Sequence, residues 1–193
     1  MKIRLTGEKV ILRDLKESDI PTLYYWNYEA EDREHLNWNG PYKDVEEKTY
    51  EEFYKEHLPL LETGKSSEIR NKLVIEVNGA LIGTVGWYWV DQDTNWLENG
   101  IVIYDSEYWS GGYGTEAFRL WTDYIFEQSD VERVGIATWS GNERMMRLAS
   151  KTGMKEEGRI RKARIVKGAY YDSIKMGMLR EEWAQLRKAI SAH

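Results

Sequence analysis

"YWSGGYGTEAF", Tyr108 to Phe118, places three glycines within four positions and then passes into good helix formers. Glycine loses more backbone entropy on folding than any other residue and costs about 1 kcal/mol inside a helix. Gly111, Gly112 and Gly114 therefore mark either an ordinary tight turn or a backbone that something must approach closely. The flanks narrow the choice. "WLENGIVIY", Trp96 to Tyr104, reads as a strand. After the glycines, Ala117, Leu120, Trp121, Tyr124 and Ile125 recur at helical spacing, so a helix runs from near Gly112 to about Gln128. A glycine-rich strand–loop–helix junction aims several backbone N–H groups outward at the positive end of a helix dipole, which suits a phosphate. Two common phosphate-binding patterns are absent. No lysine follows the glycines as a GxxxxGK(S/T) loop requires, and Gly112-x-Gly114 continues to Glu116 and Ala117 without completing GxGxxG.

Outward from the junction, the elements order themselves. "VILRDL", Val10 to Leu15, is a short strand, and "ESDIPTLYYWN" is a helix with Ser18 as its expected N-cap. A second helix is expected from Asp44 to Glu62, disturbed at Pro59, and "TGKSS" follows as a loop. "KLVIEVNGALIGTVGWYW" is a hairpin about Asn78-Gly79, the type I′ dipeptide. "RVGIATW" is a strand ending near Trp139. "SGNERMMRLASKTG" is a helix, with Ser140 and Glu143 as a capping box and Gly153 as its stop. Strands over 155–164 and 170–178 form a final hairpin before the helix "REEWAQLRKAI". The expected fold is α/β with a mixed, mostly antiparallel sheet of about six to seven strands flanked by helices.

Composition sets the outer bounds. The 193 residues fit a single domain, 1–193, with 41% hydrophobic and 31% charged residues. No apolar run nears the roughly 18 residues of a membrane span, and "MKIRLTGEKV" has no apolar segment behind its charges, so no signal peptide and a cytoplasmic location are expected. The absence of cysteine removes disulfides, thiolate ligands and a cysteine nucleophile. His35, His57 and His193 show no metal-ligand spacing, so no metal is expected. A net charge of −6 argues against general nucleic-acid binding. The charge is unevenly spread. From Glu29 to Glu62 there are eleven acids against four bases, and from Arg144 to Lys167 nine bases against two acids. These are two solvated faces, or one region for a cationic ligand and one for an anionic ligand.

The letters as a whole resemble the GNAT acetyltransferase superfamily, in the branch of ribosomal-protein N-acetyltransferases (RimJ/RimL-like). "YWSGGYGTEA" is similar to the family's acetyl-coenzyme A signature, with Trp109 at its Gln/Arg position. "LTGEKVILRDLKESDI", "GNERMMRLASKTGMKEEGRIR" and "GAYYDSIKMGMLREEW" resemble other segments of that branch, in the right order. The resemblance implies a GNAT fold with a splayed strand pair holding the cofactor. It implies that backbone N–H groups of Ser110, Gly111, Gly112, Tyr113, Gly114 and Thr115 hold the pyrophosphate, and that Val102, Ile103 and Tyr104 pair with the pantetheine arm. The N–H of Val102 would polarise the thioester carbonyl. Asn142 matches the family asparagine that contacts pantetheine, with a helix-cap role as the alternative. The basic stretch from Arg144 would supply a partner for the 3′-phosphate.

The implied reaction is acetyl transfer from acetyl-coenzyme A to a primary amine by direct attack in a ternary complex. An alkyl amine with a pKa near 10 must lose a proton first. The resemblance makes Glu98 the candidate base, since it lies eleven residues before Trp109, where a branch of the superfamily carries a catalytic glutamate; a surface strand glutamate is the alternative, and Glu76 and Asp172 are other acids. The family's usual general-acid positions hold Met145 and Ala149, which cannot give a proton; Ser150, Tyr113, Tyr171 or solvent would have to serve. That departure keeps open a coenzyme A-binding sensor or partner module without turnover. The acidic excess favours a cationic amine: a protein N-terminus, a polyamine or a small molecule. The protein would act as a monomer or homodimer.

Overall fold

The computed structural model describes residues 2–62 and 69–191, so the expected loop "TGKSS" and His193 lie outside the described residues. Eight strands are present: β1 (Arg4–Thr6), β2 (Ile11–Arg13), β3 (Lys72–Val77), β4 (Ala80–Asp91), β5 (Trp96–Ile103), β6 (Arg133–Trp139), β7 (Lys155–Val166) and β8 (Ala169–Leu179). They hydrogen-bond in the order β1-β2-β3-β4-β5-β6-β8-β7. Pairing is parallel between β5 and β6 and antiparallel for β1–β2, β2–β3, β3–β4, β6–β8 and β7–β8. The mixed, mostly antiparallel sheet expected from the sequence is therefore present, with β1 as an added strand. Three residues paired to β2 are too short to show a period. The chain divides into two compact units, residues 1–86 with 101–120 and residues 87–100 with 121–193.

In the first unit, α1 (Ile20–Tyr24) is entered through a 3-10 turn at Glu17–Asp19 and leaves through a π-turn at Tyr25–Glu29. Ser18 does not cap it. The Asp19 carboxylate accepts the Lys16 N–H at 2.7 Å and receives Arg13 through two nitrogens at 2.7 and 2.9 Å. Ser18 falls inside the 3-10 turn, and Pro21 at the helix start has no N–H for it to accept. The second helix, α2 (Tyr50–Glu62), begins six residues later than Asp44. Thr49 and Glu52 set its start as a capping box: the Thr49 N–H meets Glu52 Oε2 at 2.8 Å, and the Glu52 N–H meets Thr49 Oγ1 at 3.4 Å. Pro59 lies inside the helix without ending it. Leu15, Ile20, Leu23, Phe53, Val74 and Tyr104 form a buried cluster with Tyr24, Trp26 and Tyr28 packed on it.

In the second unit, seven residue pairs join β6 to β8, and β8 returns to β7 through Lys167-Gly168, both at positive φ as a type I′ turn needs. The helix α4 (Glu143–Lys151) is capped by Asn142, not Ser140. Asn142 Oδ1 accepts the Met145 N–H at 3.1 Å, while Ser140 Oγ accepts the Asp172 N–H at 2.9 Å from β8. The helix ends in a Schellman motif, with the Met154 N–H on the Ala149 carbonyl and the Gly153 N–H on that of Ser150. The last helix is α5 (Arg180–Ser191). The long helix α3 (Tyr113–Gln128) contributes its C-terminal half to this unit, where Trp121, Ile125 and Phe126 are fully buried.

Two predictions follow from this packing. Arg13 is 6% exposed between Asp19 and Glu76. Arg13→Met strands two buried carboxylates and should cost about 3–5 kcal/mol in urea unfolding; a loss below about 1 kcal/mol would contradict this role. Burial holds His35 and His57 below the ordinary 6.5, so the unfolded chain takes up protons first as pH falls. Stability should be full above about pH 6.5 and decline below it, with a shallower decline in His35→Phe.

Candidate active site

The glycine junction is built by local hydrogen bonds. After β5, Asp105 caps a short turn by accepting the Glu107 N–H at 2.9 Å, and the Trp109 indole donates to the Ile103 carbonyl at 3.0 Å. Ser110 and Gly112 then take positive φ, 65° and 85°. Only glycine adopts this conformation without strain, so Gly112 is needed for the turn itself. Gly114 belongs to the first turn of α3. The first intrahelical bond is from the Glu116 N–H to the Gly112 carbonyl at 3.1 Å. The amides of Tyr113, Gly114 and Thr115 thus stand at the helix N-terminus, where helical geometry offers them no acceptor.

Lys9 stands beside this loop, a placement its sequence position does not reveal. Its Nζ donates to the Gly111 carbonyl at 2.8 Å and lies 5.9 Å from the Tyr113 ring centroid. Glu116 holds it there, accepting the backbone N–H of Lys9 at 2.9 Å and that of Glu8. Lys9 is about a hundred residues from the loop, and only the fold joins them.

The end of β5 is held equally closely. A Cβ on Gly83 would stand 2.2 Å from the Val102 carbonyl, so β4 needs glycine there to admit β5. The Tyr104 N–H donates to the Ile82 carbonyl at 2.9 Å, and its hydroxyl lies 3.2 Å from Thr84 Oγ1. The Tyr104 amide is therefore already paired with β4. Val102 and Tyr104 line a cavity of about 240 Å³ with Asn27, His57, Lys72 and Thr84. His57 Nδ1 faces the Phe53 carbonyl at 2.8 Å. A carbonyl only accepts, so Nδ1 carries the proton and Nε2 keeps its lone pair.

In the second unit, Glu98 is no surface glutamate. It is 2% exposed. One carboxylate oxygen accepts the Tyr88 hydroxyl at 2.6 Å and the other the Lys175 ammonium at 2.5 Å. The other candidate acids are committed elsewhere: Glu76 to Arg13, and Asp172 to Arg159 and the Lys162 N–H. Hydrogen bonds from that backbone N–H and from Arg159 hold the Asp172 carboxyl below its ordinary range. Asn142 serves as the α4 cap. Ala149 is fully buried, and Tyr171 packs edge-on against Trp139 at 4.8 Å. Part of the charge imbalance is used internally. Lys48 pairs with Glu56, Glu52 serves the α2 cap, and Arg159 bridges Glu156 and Asp172.

The acetyltransferase (GNAT) domain family matches residues 9–155. The chain belongs to the GNAT acetyltransferase family. Two Bacillus subtilis relatives align with it. YokL, an uncharacterized N-acetyltransferase of SPbeta prophage origin, is 27% identical over 58% of this chain and 62% of its own. YdaF, provisionally named a ribosomal N-acetyltransferase, is 31% identical over 55% of this chain and 57% of its own. The chain thus spans about three-fifths of these relatives' length. Among solved structures, the spermidine N-acetyltransferase from Vibrio cholerae, in complex with CoA and spermine, superposes with a TM-score of 0.74 at 20% identity. It covers 92% of this chain and 99% of its own. RimL, a ribosomal L7/L12 α-N-protein acetyltransferase in complex with coenzyme A, reaches 0.72 at 14% identity, over 93% and 98%. These likenesses establish the GNAT fold.

Gly83→Ala tests how tightly β4 and β5 are held. The added methyl has only backbone to displace, so unfolding free energy should fall by about 1–3 kcal/mol. An unchanged denaturation midpoint would refute the close approach.

Proposed function

We propose that the protein, as one domain over residues 1–193, is a cytoplasmic RimJ/RimL-like N-acetyltransferase that moves the acetyl group of acetyl-coenzyme A to a primary amine. The observation that carries the reading is the set of amides at the start of α3 that find no acceptor among the described residues, in the family's cofactor segment and beside Lys9. The RimL and spermidine N-acetyltransferase likenesses support it by fold, and the YdaF match supports the branch.

In this reading the amides of Ser110, Gly111, Gly112, Tyr113, Gly114 and Thr115 receive the pyrophosphate, and Lys9 adds a cation. Val102 and Ile103 carry the pantetheine arm, with Tyr104 as its packed neighbour, and Asn142 reaches pantetheine in addition to capping α4. Acetyl-coenzyme A supplies an activated thioester. The Val102 N–H stabilises the oxyanion as the amine attacks. The new C–N bond forms, the C–S bond breaks, the thiolate leaves with coenzyme A, and the amine gives up one proton. Glu98, whose carboxylate is held by Tyr88 and Lys175, is the proposed base for that proton. Met145 and Ala149 offer the thiolate no proton, so it is protonated by solvent. The same two residues favour one second reading, a coenzyme A-binding module without turnover.

Thiol release from acetyl-coenzyme A, measured across peptides, polyamines and amino acids beside calorimetric binding of coenzyme A, separates the two. Turnover with at least one amine is expected, reduced about a hundredfold or more in Glu98→Gln with binding kept. Binding without release for any amine would leave only the binding module. No binding at all would end both readings.

A further inference from the structure

The cavity of the first unit contains a cation that its surroundings do not balance. Lys72 opens β3 opposite Gly86 and lines the cavity with His57. Burial lowers its pKa, and among the described residues no opposing charge offsets that. Among the described residues Lys72 has neither an ion pair nor a side-chain hydrogen bond. Other withdrawn cations in this unit are matched: Arg13 by Asp19 and Glu76, and Arg70 by Asp14 at 2.9 Å. A withdrawn ammonium without a counter-ion is unfavourable, and it becomes favourable when an anion arrives.

The rest of the lining points the same way. Among the described residues, none that lines the cavity is an acid. Its other polar groups, on Asn27, Asn39, Thr84 and Tyr104, are neutral. Burial keeps His57 neutral as well, with Lys72 adding to that effect. Among the described residues the acids of 29–62 do not line the cavity, although Glu56 acts on His57 from nearby, and a polycation would meet Lys72 directly. At about 240 Å³ the space falls below the roughly 300 Å³ of ordinary ligand pockets, which suits a molecule of amino-acid size.

We propose that this cavity receives a small amine that also carries an anionic group, and that Lys72 pairs with that group while the amine stands toward Val102. The inference rests on the acetyltransferase reading and narrows its acceptor. A phosphate and a carboxylate share the chemistry Lys72 recognises, and matched substrates separate them.

Thiol release from acetyl-coenzyme A is compared for L-methionine against L-methioninamide and for phosphoethanolamine against ethanolamine, with spermidine as the polycation. The anionic member of at least one pair should show a kcat/KM about tenfold or more above its neutral partner. The pair that shows it identifies carboxylate or phosphate. Lys72→Gln should abolish the preference while leaving coenzyme A binding intact. Lys72→Met, which keeps similar bulk without charge, should do the same and guards against misfolding of the first variant. Equal turnover within both pairs, a preference for spermidine, or a preference that survives both substitutions would overturn the assignment. Absence of thiol release with every amine of the wider panel would instead overturn the acetyltransferase reading itself.

Discussion

The Arg13 guanidinium joins β2, β3 and the start of α1 through three short contacts: Nε to Glu76 at 2.5 Å, and NH1 and NH2 to Asp19 at 2.7 and 2.9 Å. Burial works against its charge, but the hydrogen bonds and attraction of the two carboxylates more than offset that, and its pKa stays raised. A planar fork between two carboxylates tolerates little displacement. It therefore sets the angle at which the chain leaves β2 and enters α1. Leu23 and Asn27, which wall the cavity, follow within the next three turns. Arg70 and Asp14 extend the network, and Asp14 also takes the Ile3 N–H at 2.7 Å. The polar order of this unit is thus laid down before its apolar core is counted.

Against that background the candidate groups differ in how their charge is treated. Glu98 is buried and held by two donors, one of them an ammonium. Lys72 is withdrawn and unmatched among the described residues, and His57 is kept neutral with its tautomer set by a backbone carbonyl. A carboxylate with both oxygens occupied is well oriented but slow to accept a proton unless a partner relays it. An unmatched cation in a cavity is poorly satisfied alone and well suited to select what enters. In the proposed reading orientation and selection fall to different residues, on elements of regular structure and not on loops.

Much of this could be read from the letters. The Asn78-Gly79 hairpin, α3 through Gln128 and the terminal hairpin carried strong local signals, and the structure contains them. Helix starts were less legible. Ser18 and Ser140 have the right chemistry for caps, but Ser18 falls inside the 3-10 turn before α1, whose N-cap Asp19 makes no side-chain cap bond, and Asn142 caps α4 because β8 draws off the Ser140 hydroxyl. The cavity left no trace in the sequence. Its lysine opens a strand and its histidine sits late in a helix, positions where both residues are usually ordinary surface or core. Lys9 at the glycine junction was hidden for the same reason: contact over a hundred residues has no local signature.

The strand order has a consequence for synthesis. The residues of the first unit are all present once residue 120 has been made. The second unit is different, because β8 lies between β6 and β7 in the sheet. Until β8 is translated, β6 lacks its antiparallel neighbour and β7 has nothing to pair with. The carbonyls of Phe126, Ser129 and Val131 wait still longer, since all three are taken by the single side chain of Arg180. A nascent chain on the ribosome thus carries one completed unit and one with open edges for some sixty residues, the interval in which chaperones would find it.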